Sequence, residues 1–464
     1  MLNSYKAKKN ASMVYYQSLS DDEKNVHNGR KNFIVDNVAA YIIISICAGS
    51  YLAGLLSYAG VPVEYNGLIL SIPVLSTFFQ FFGAIISKKI KSQKKFVIAG
   101  IGFQRIALAM VFIYPIITGT GILTIALIVS TYAMAFFVGT AAGPAGGNWL
   151  ISLVPKNIRG EYFSKREKYS LLGIAISTVF VGFILDKSQE GGYFVWGFAS
   201  IGVLLLSVAV IDIIHLLKIN EVAENKASKK IDFHSILEPL KDKTYLKVIL
   251  MLVLWQMSTQ IAIPFLGIYY IESIGMEYTL IGIVTLVITF EKAIIVSRWG
   301  KFADRTSWDY VLKIAVLIYS ISIIMLVFLS PSNYLWLFPV TMIVGNIAWS
   351  VLGISLINIQ FQFAKPENTV MYIGISGSVS GISGFLSALT GAAILSLFKE
   401  RKYFLNGNQF LLILSAITAL VTWLNSEHPF PSTTSMVYVI VSSIVATGLG
   451  DDGSSRPVDG VQLY

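Results

Sequence analysis

The chain has 464 residues, of which 55% are hydrophobic and 13% are charged, and its formal net charge is +9. Soluble domains carry roughly 25% charged residues, so this composition excludes an ordinary soluble protein and predicts a membrane protein. The basic residues are concentrated in short loops between apolar stretches, which favours contact with anionic lipid headgroups over a nucleic-acid partner.

Twelve apolar stretches follow one another along the chain. Most have the roughly 20 residues that a helix needs to cross the hydrocarbon core of a bilayer, although the fifth and twelfth are short. The continuous apolar runs show none of the alternation expected of barrel strands. We therefore predict an all-α polytopic membrane protein with 12 transmembrane helices, at residues 33–58, 65–87, 96–117, 121–143, 169–185, 193–217, 246–271, 280–299, 311–330, 335–359, 371–397 and 409–424.

Lys and Arg lie mainly in the N-terminal arm, residues 1–32, and in the loops after the even-numbered spans. The loops after spans 1, 3, 7 and 9 contain neither residue type. The positive-inside rule then predicts a multi-pass protein of the cell (plasma) membrane with a cytoplasmic N-terminus. The arm is polar and does not look like a cleavable signal peptide. Lys399, Arg401 and Lys402, on the predicted outer face, depart from the rule.

The longest hydrophilic interruption, 218–245, divides the chain into two candidate bundles of six helices, 33–217 and 246–424. Weak internal matches at an offset of 210 to 217 residues support a repeat, as in transporters with two related halves; they pair Gly60 with Gly275, Gly67 with Gly282, Asn148 with Asn358, and Tyr162 with Tyr372. After the second bundle, 425–464 form an atypical tail. It is either a membrane-surface segment or a remnant foreign to the fold.

A cytoplasmic loop, "GKFADR", follows the eighth span at Gly300 to Arg305. With the six-plus-six topology and the central linker, this loop resembles the signature of the major facilitator superfamily over about residues 30–424. The resemblance implies two pseudo-symmetric six-helix bundles and transport by alternating access. It also implies a gating role for Gly83, Gly300, Asp304 and Arg305, although the first copy of the motif has Ser87 where an acid is expected. The alternative is an ordinary basic turn in which Asp304 caps a helix.

The superfamily builds its substrate cavity mainly from helices 1, 4, 7 and 10. On those helices the resemblance implies a set of amide and aromatic side chains as cavity residues, namely Asn37, Tyr41, Asn148, Trp149, Gln256, Gln260, Asn346 and Trp349. Amides beside aromatic rings suit a neutral polar or amphipathic solute. The alternative is hydrogen bonding and packing between helices.

Ionisable residues inside membrane spans are functional candidates because each costs at least ~2.5–3.5 kcal/mol at the bilayer centre. Asp36 and Arg105 are predicted to form a pair that a proton switches, or alternatively a permanent ion pair between helices. Glu291, deep in the eighth span, is a second candidate for proton coupling, and the adjacent Lys292 is predicted to reach lipid headgroups or another helix. Asp212, with His215, is predicted to lie at the surface.

No phosphate-binding glycine loop is present, and the four histidines have no metal-ligand spacing. We therefore predict no enzyme activity, cofactor or metal site, and a monomer whose partners are a small-molecule solute, a proton or another coupling ion, and the lipid bilayer. The function expected is secondary active transport that is coupled to protons. Sugar or metabolite transport and export of amphipathic drugs or peptides stay open, as do a non-transporting receptor or scaffold and a membrane-embedded transferase.

Overall fold

A computed structural model describes residues 20–90, 92–155, 158–220, 238–365, 369–400 and 406–424. Every regular element in these ranges is helical. The N-terminal half contains α1 (Asp21–Ile46), α2 (Gly49–Ala59), α3 (Val63–Leu70), α4 (Ile72–Ser76), α5 (Phe78–Lys89), α6 (Gln93–Val111), α7 (Tyr114–Thr118), α8 (Ile122–Leu153), α9 (Arg159–Glu190) and α10 (Phe194–Leu217). The C-terminal half contains α11 (Glu238–Lys241), α12 (Lys243–Gln260), α13 (Ile263–Ile268) with a π-helical turn (Tyr269–Ser273), α14 (Tyr278–Arg305), α15 (Trp308–Val327), α16 (Tyr334–Phe363), α17 (Thr369–Glu400) and α18 (Gly407–Leu424). The tail 425–464 and most of the arm and linker lie outside the described residues.

Ten helices within these ranges are long and apolar enough to cross a membrane. The bent pair α1 and α2, which meet at 47°, makes an eleventh. The remaining predicted span, 96–117, corresponds to α6 and α7, and α6 packs against α8 and α10 inside the bundle. The all-α membrane fold is confirmed.

Glycine and proline explain where the spans break. Gly49, with φ +53°, begins α2 after the bend, and Gly60, with φ +94°, ends it. Both values lie in the left-handed region that glycine tolerates best. Proline stands in the first turn of α4, α7 and α13, a position where its missing N–H breaks no helical bond.

Each half buries its own apolar residues. One large cluster of buried side chains runs from Tyr245 to Ala419. Two others lie in the N-terminal half, and the larger of these also takes in Tyr278 from the start of α14. The buried core is therefore divided into an N-terminal and a C-terminal part, and Tyr278 of the second half packs into the core of the first.

The tyrosine repeat makes equivalent contacts in the two halves. Tyr162, in the first turn of α9, donates its hydroxyl to the carbonyl of Arg30 in α1. Tyr372, in the first turn of α17, donates to Asp242, which caps the start of α12. Burial opposes ionisation of Asp242, but the N–H of Tyr245, the Tyr372 hydroxyl and the N–H of Thr244 together hold the pKa of this carboxyl below its usual value.

We call the end of the bundle at which α10 ends and α12 begins the linker face, and the other end the opposite face. Near the opposite face the two halves touch closely. A side chain at Gly182 would come within 2.6 Å of the Tyr278 carbonyl oxygen, and one at Gly282 within 2.7 Å of the Thr178 carbonyl oxygen. The two halves are therefore packed backbone to backbone along α9 and α14.

Candidate functional site

A cavity of about 920 Å³ lies between α9, α14 and α16 on the linker side of the α9–α14 contact. This volume falls in the range of small-molecule sites. Among the described residues, most of its wall is apolar or aromatic, and three side chains are charged, Glu167, Lys168 and Lys292. The lining residues are Phe163, Ser164, Glu167, Lys168, Leu171, Leu172, Ala175, Thr289, Phe290, Lys292, Ala293, Val296, Trp349, Ser350, Gly353, Ile354 and Ile357.

An acid from one half caps a helix of the other half near the opposite face. Asp186 of α9 accepts hydrogen bonds from the backbone N–H groups of Tyr278, at 2.9 Å, and Thr279, at 2.7 Å. Glu277, the residue that precedes α14, provides no side-chain cap. Because the first N–H groups of a helix lack partners within the helix, the Asp186 carboxylate supplies the hydrogen-bond acceptors at the start of α14. Ser57 donates to Glu272 across the same face.

Two carboxyl groups and two guanidinium groups form a buried cluster inside the N-terminal half. Arg105 Nε lies 3.4 Å from Asp212 Oδ2, and Arg166 lies 3.9 Å from Asp36 Oδ2. The Asp36 and Asp212 side chains lie close enough to influence each other's charge. Oδ1 of each aspartate is buried without a hydrogen-bond donor among the described residues. We call these four residues the charge cluster.

Two opposing electrostatic effects act on the protonation of the charge cluster. With both aspartates ionised its four charges sum to zero, which favours that state. Two adjacent carboxylates repel each other, however, and one proton on either group would remove that repulsion. A small movement of either arginine changes this balance, so the geometry suits reversible proton binding.

The charge cluster adjoins the cavity through α1 and α9. Arg166, in the cluster, is followed by Glu167, which lines the cavity and accepts a hydrogen bond from the Tyr41 hydroxyl at 3.0 Å. Asn37, next to Asp36, donates to the Ser170 hydroxyl at 2.6 Å. A change in how α1 and α9 pack would therefore reach both sites.

The second half holds its own buried carboxyl group. Glu291 of α14 is 3% exposed, and its Oε2 accepts a hydrogen bond of 3.1 Å from the Asn346 amide of α16. Oε1 is buried without a donor among the described residues. Asn346 also lines a smaller cavity of about 290 Å³ that reaches Gly49 and Ser50, at the break between α1 and α2.

These features can be set beside known proteins. The family model described as Major Facilitator Superfamily matches residues 37–388. The chain belongs to this superfamily. No curated protein sequence matches it.

Solved structures share the superfamily fold. The nucleoside transporter NupG matches with a TM-score of 0.63 and 12% identity, over 89% of this chain and 99% of that one. A D-xylose-proton symporter matches with a TM-score of 0.64 and 12% identity, over 88% and 98%. A bacterial homologue of the iron transporter ferroportin matches with a TM-score of 0.55 and 15% identity, over 88% and 98%. At these identities the likeness concerns the fold, and together with the family it identifies a multi-pass membrane transporter and not an enzyme.

The residues predicted for the superfamily cavity are dispersed in the structure. Trp349 lines both cavities, Asn346 lines the smaller one, and Tyr41 reaches the larger one through Glu167. Trp149 is buried against Phe33. Asn148 is exposed and Asn37 is buried, while Gln256 and Gln260 face Gly384 of α17.

The charged residues require two corrections. Arg105 forms its direct pair with Asp212, whereas Asp36 is paired with Arg166. The prediction that Asp212 lies at the surface is wrong, since Asp212 is fully buried, while His215, one turn on, is half-buried. Lys292, predicted to reach headgroups or another helix, lines the cavity.

The gate motif is described only in part. Gly300, Asp304 and Arg305 belong to the last turns of α14, but the side chains of Asp304 and Arg305 lie outside the described residues. In the first half, Gly83 is packed against the backbone of Ala141, where any side chain would clash.

Proposed function

We propose that this protein is a secondary active transporter that moves a small solute across the cell membrane by alternating access, coupled to protons. The segments 33–217 and 246–424 are the two moving units. The basic loops of the sequence favour a cytoplasmic N-terminus, which makes the linker face cytoplasmic. The cavity then lies on the cytoplasmic side of the α9–α14 contact, as in an inward-facing transporter.

The observation that carries this proposal is the charge cluster. Four ionisable side chains inside a membrane bundle are costly to maintain, and the pair of adjacent carboxyl groups is suited to gain and lose one proton. Arg166 and Glu167 place this proton site next to the cavity. Glu291 is a second proton site in the other half, where Asn346 is its partner.

Alternating access needs contacts that exist in one state and break in the other. At the opposite face, the cap from Asp186 to α14 joins the two halves and belongs to the inward-facing state. At the linker face, the motif residues Gly83, Gly300, Asp304 and Arg305 are the proposed gate of the outward-facing state. Rocking of the halves exchanges one set of contacts for the other.

The test is proton movement in proteoliposomes loaded with a pH-sensitive dye. D-xylose, uridine and an aromatic sulfonate, none of which crosses lipid readily, are added one at a time with and without a pH gradient. We expect one class of solute to move protons and to accumulate with the gradient. Asp36→Asn and Asp212→Asn should uncouple uptake from the gradient, as should Glu291→Gln if the second site is used.

Glu190→Gln is the matched control, because Glu190 is an exposed acid whose described ion pair lies within its own helix, with Lys187. Uptake that is indifferent to the gradient, and equal in wild type and both aspartate variants, would overturn the coupling proposal.

A further inference from the structure

Two lysines face the cavity from opposite halves of the protein. Lys168 lies on α9 and Lys292 on α14, and both line the 920 Å³ cavity. Lys292 is 14 residues from the start of its 28-residue helix, so it lies roughly 20 Å from either end at 1.5 Å per residue. A lysine at that depth in a membrane helix is expensive and marks a functional position.

Neither lysine has an ion-pair partner among the residues that the structure describes. The ion pairs found among the described residues involve other side chains. Glu167, the one carboxylate among the described lining residues, already accepts a hydrogen bond from the Tyr41 hydroxyl, and its neighbour Arg166 is paired with Asp36. Among the described lining residues, the formal charges of two lysines and one glutamate sum to +1.

The rest of the cavity wall favours a ligand with an apolar body. Phe163, Leu172, Phe290 and Trp349 are among the apolar and aromatic residues that line the cavity together with the two lysines. Such a surface favours an apolar body by removing it from water. The neutral polar groups nearby, Ser164, Thr289 and Ser350, can accept or donate hydrogen bonds but carry no charge.

We propose that the solute is an organic anion with an apolar body, whose acidic group is held between Lys168 and Lys292. This inference rests on the proposed function only where it treats the ligand as a transported solute; the preference for an anion can be tested by binding alone. Because one lysine comes from each half, the bound anion also joins the halves across the cavity. An empty cavity leaves two like charges on its wall, one from each half, so the anion favours closure of the linker face.

The test uses three probes with one aromatic body and different charge: phenylbutyrate, phenylbutanamide and phenylbutylamine. Binding to the purified full chain is measured by calorimetry and by thermal unfolding. Unfolding can be followed with a thiol-reactive dye, because the one cysteine of the sequence, Cys47, is fully buried in the folded state. We expect the carboxylate to bind and stabilise, and the amide and the amine to bind at least about ten-fold more weakly, as loss of a charge-assisted hydrogen bond predicts.

Substitutions then assign the preference to the lysines. Lys292→Met and Lys168→Met should each weaken phenylbutyrate binding about ten-fold while leaving phenylbutanamide unchanged, and Lys292→Arg should retain most of the affinity. Lys187→Met is the control, since Lys187 lies on α9 outside the cavity. Equal or tighter binding of the amine, or unchanged carboxylate binding in both Met variants, would overturn the proposal.

An acidic phospholipid has the same chemistry, an anion joined to an apolar body. Repeating the titration in nanodiscs with and without phosphatidylglycerol distinguishes the two sources. Competition by this lipid, lost in Lys292→Met, assigns the lysine pair to a lipid anion; absence of competition assigns it to a free organic acid. Anion binding without flux would refute the proposed transport function and support the anion site. Proton-driven flux of a neutral solute or a cation would support the transport function and refute the anion site.

Discussion

Replacing Asp186 should open the opposite face. Its carboxylate accepts two N–H groups at the start of α14, at 2.9 and 2.7 Å, and the two partners belong to different halves. A helix cap is worth about 1 kcal/mol, and a negative charge at a helix N-terminus adds about 0.3–1 kcal/mol. Because the cap exists only while this face is closed, Asp186→Ala should shift the equilibrium by roughly 1–2 kcal/mol, or about five- to thirtyfold.

The shift can be measured by double electron–electron resonance between spin labels at Thr120 and Ser332, exposed positions on opposite-face loops of the two halves. Cys47 is buried, so the labels attach to the introduced cysteines. Asp186→Ala should enlarge the long-distance population, and Asp186→Asn, which keeps one acceptor oxygen, should do so less. Glu190→Gln, one turn further on, should have no effect. An unchanged distance distribution in Asp186→Ala would show that the cap does not hold the halves together.

Three further substitutions test other contacts. Asp242→Ala should lower the free energy of unfolding by about 1 kcal/mol through loss of the cap on α12. Because the pKa of Asp242 is depressed in the folded state, the stabilisation by the wild-type carboxylate is present above its ordinary pKa and is lost as the pH falls through the folded-state pKa. Thermal unfolding measured over a series of acidic buffers checks this loss. Gly67→Val places a side chain against the buried ring of Phe265 in the other half, so the Thr120–Ser332 label pair should report opening of the opposite face. Asn346→Leu removes the hydrogen-bond donor of Glu291 and should destabilise the protein by about 1–3 kcal/mol in neutral buffer, while a stability equal to wild type would mean that water replaces the amide.

The fold could be predicted from the sequence because its signals are long and redundant. Apolar runs, basic loops and a central polar linker all indicate the same topology, and the family match agrees with it. Tyr162 and Tyr372, matched only by their offset, make equivalent contacts to α1 and to the cap of α12. A repeat of this kind constrains the structure at two places at once.

The charge cluster could be predicted only in part. Asp36 and Arg105 stand out as charges within apolar runs, but α10 is apolar on all sides, so its sequence does not indicate which face is buried. Asp212 is on the face that packs inward. Arg166 lies outside the fifth span that hydropathy predicts, 169–185, whereas α9 extends from Arg159 to Glu190 and includes it.

The contribution of α9 to the cavity wall is hard to predict for a related reason. A helix that lines a water-filled cavity carries polar and charged residues within its length, and hydropathy then ends the span too early. Glu167 and Lys168 lie in this stretch of α9. Pairing of α9 with α14 is a contact between distant segments, which one sequence without homologues does not reveal.

The most direct test of proton-coupled alternating access uses two label pairs in the same protein. Thr120 with Ser332 reports the opposite face, and Lys218 with Thr306, at the ends of α10 and α14, reports the linker face. Between mildly acidic and mildly alkaline buffer, the account predicts that one distance lengthens as the other shortens, and that Asp36→Asn with Asp212→Asn abolishes this response. The account would be contradicted if both distances changed in the same direction, or if neither distance in the wild type changed with pH.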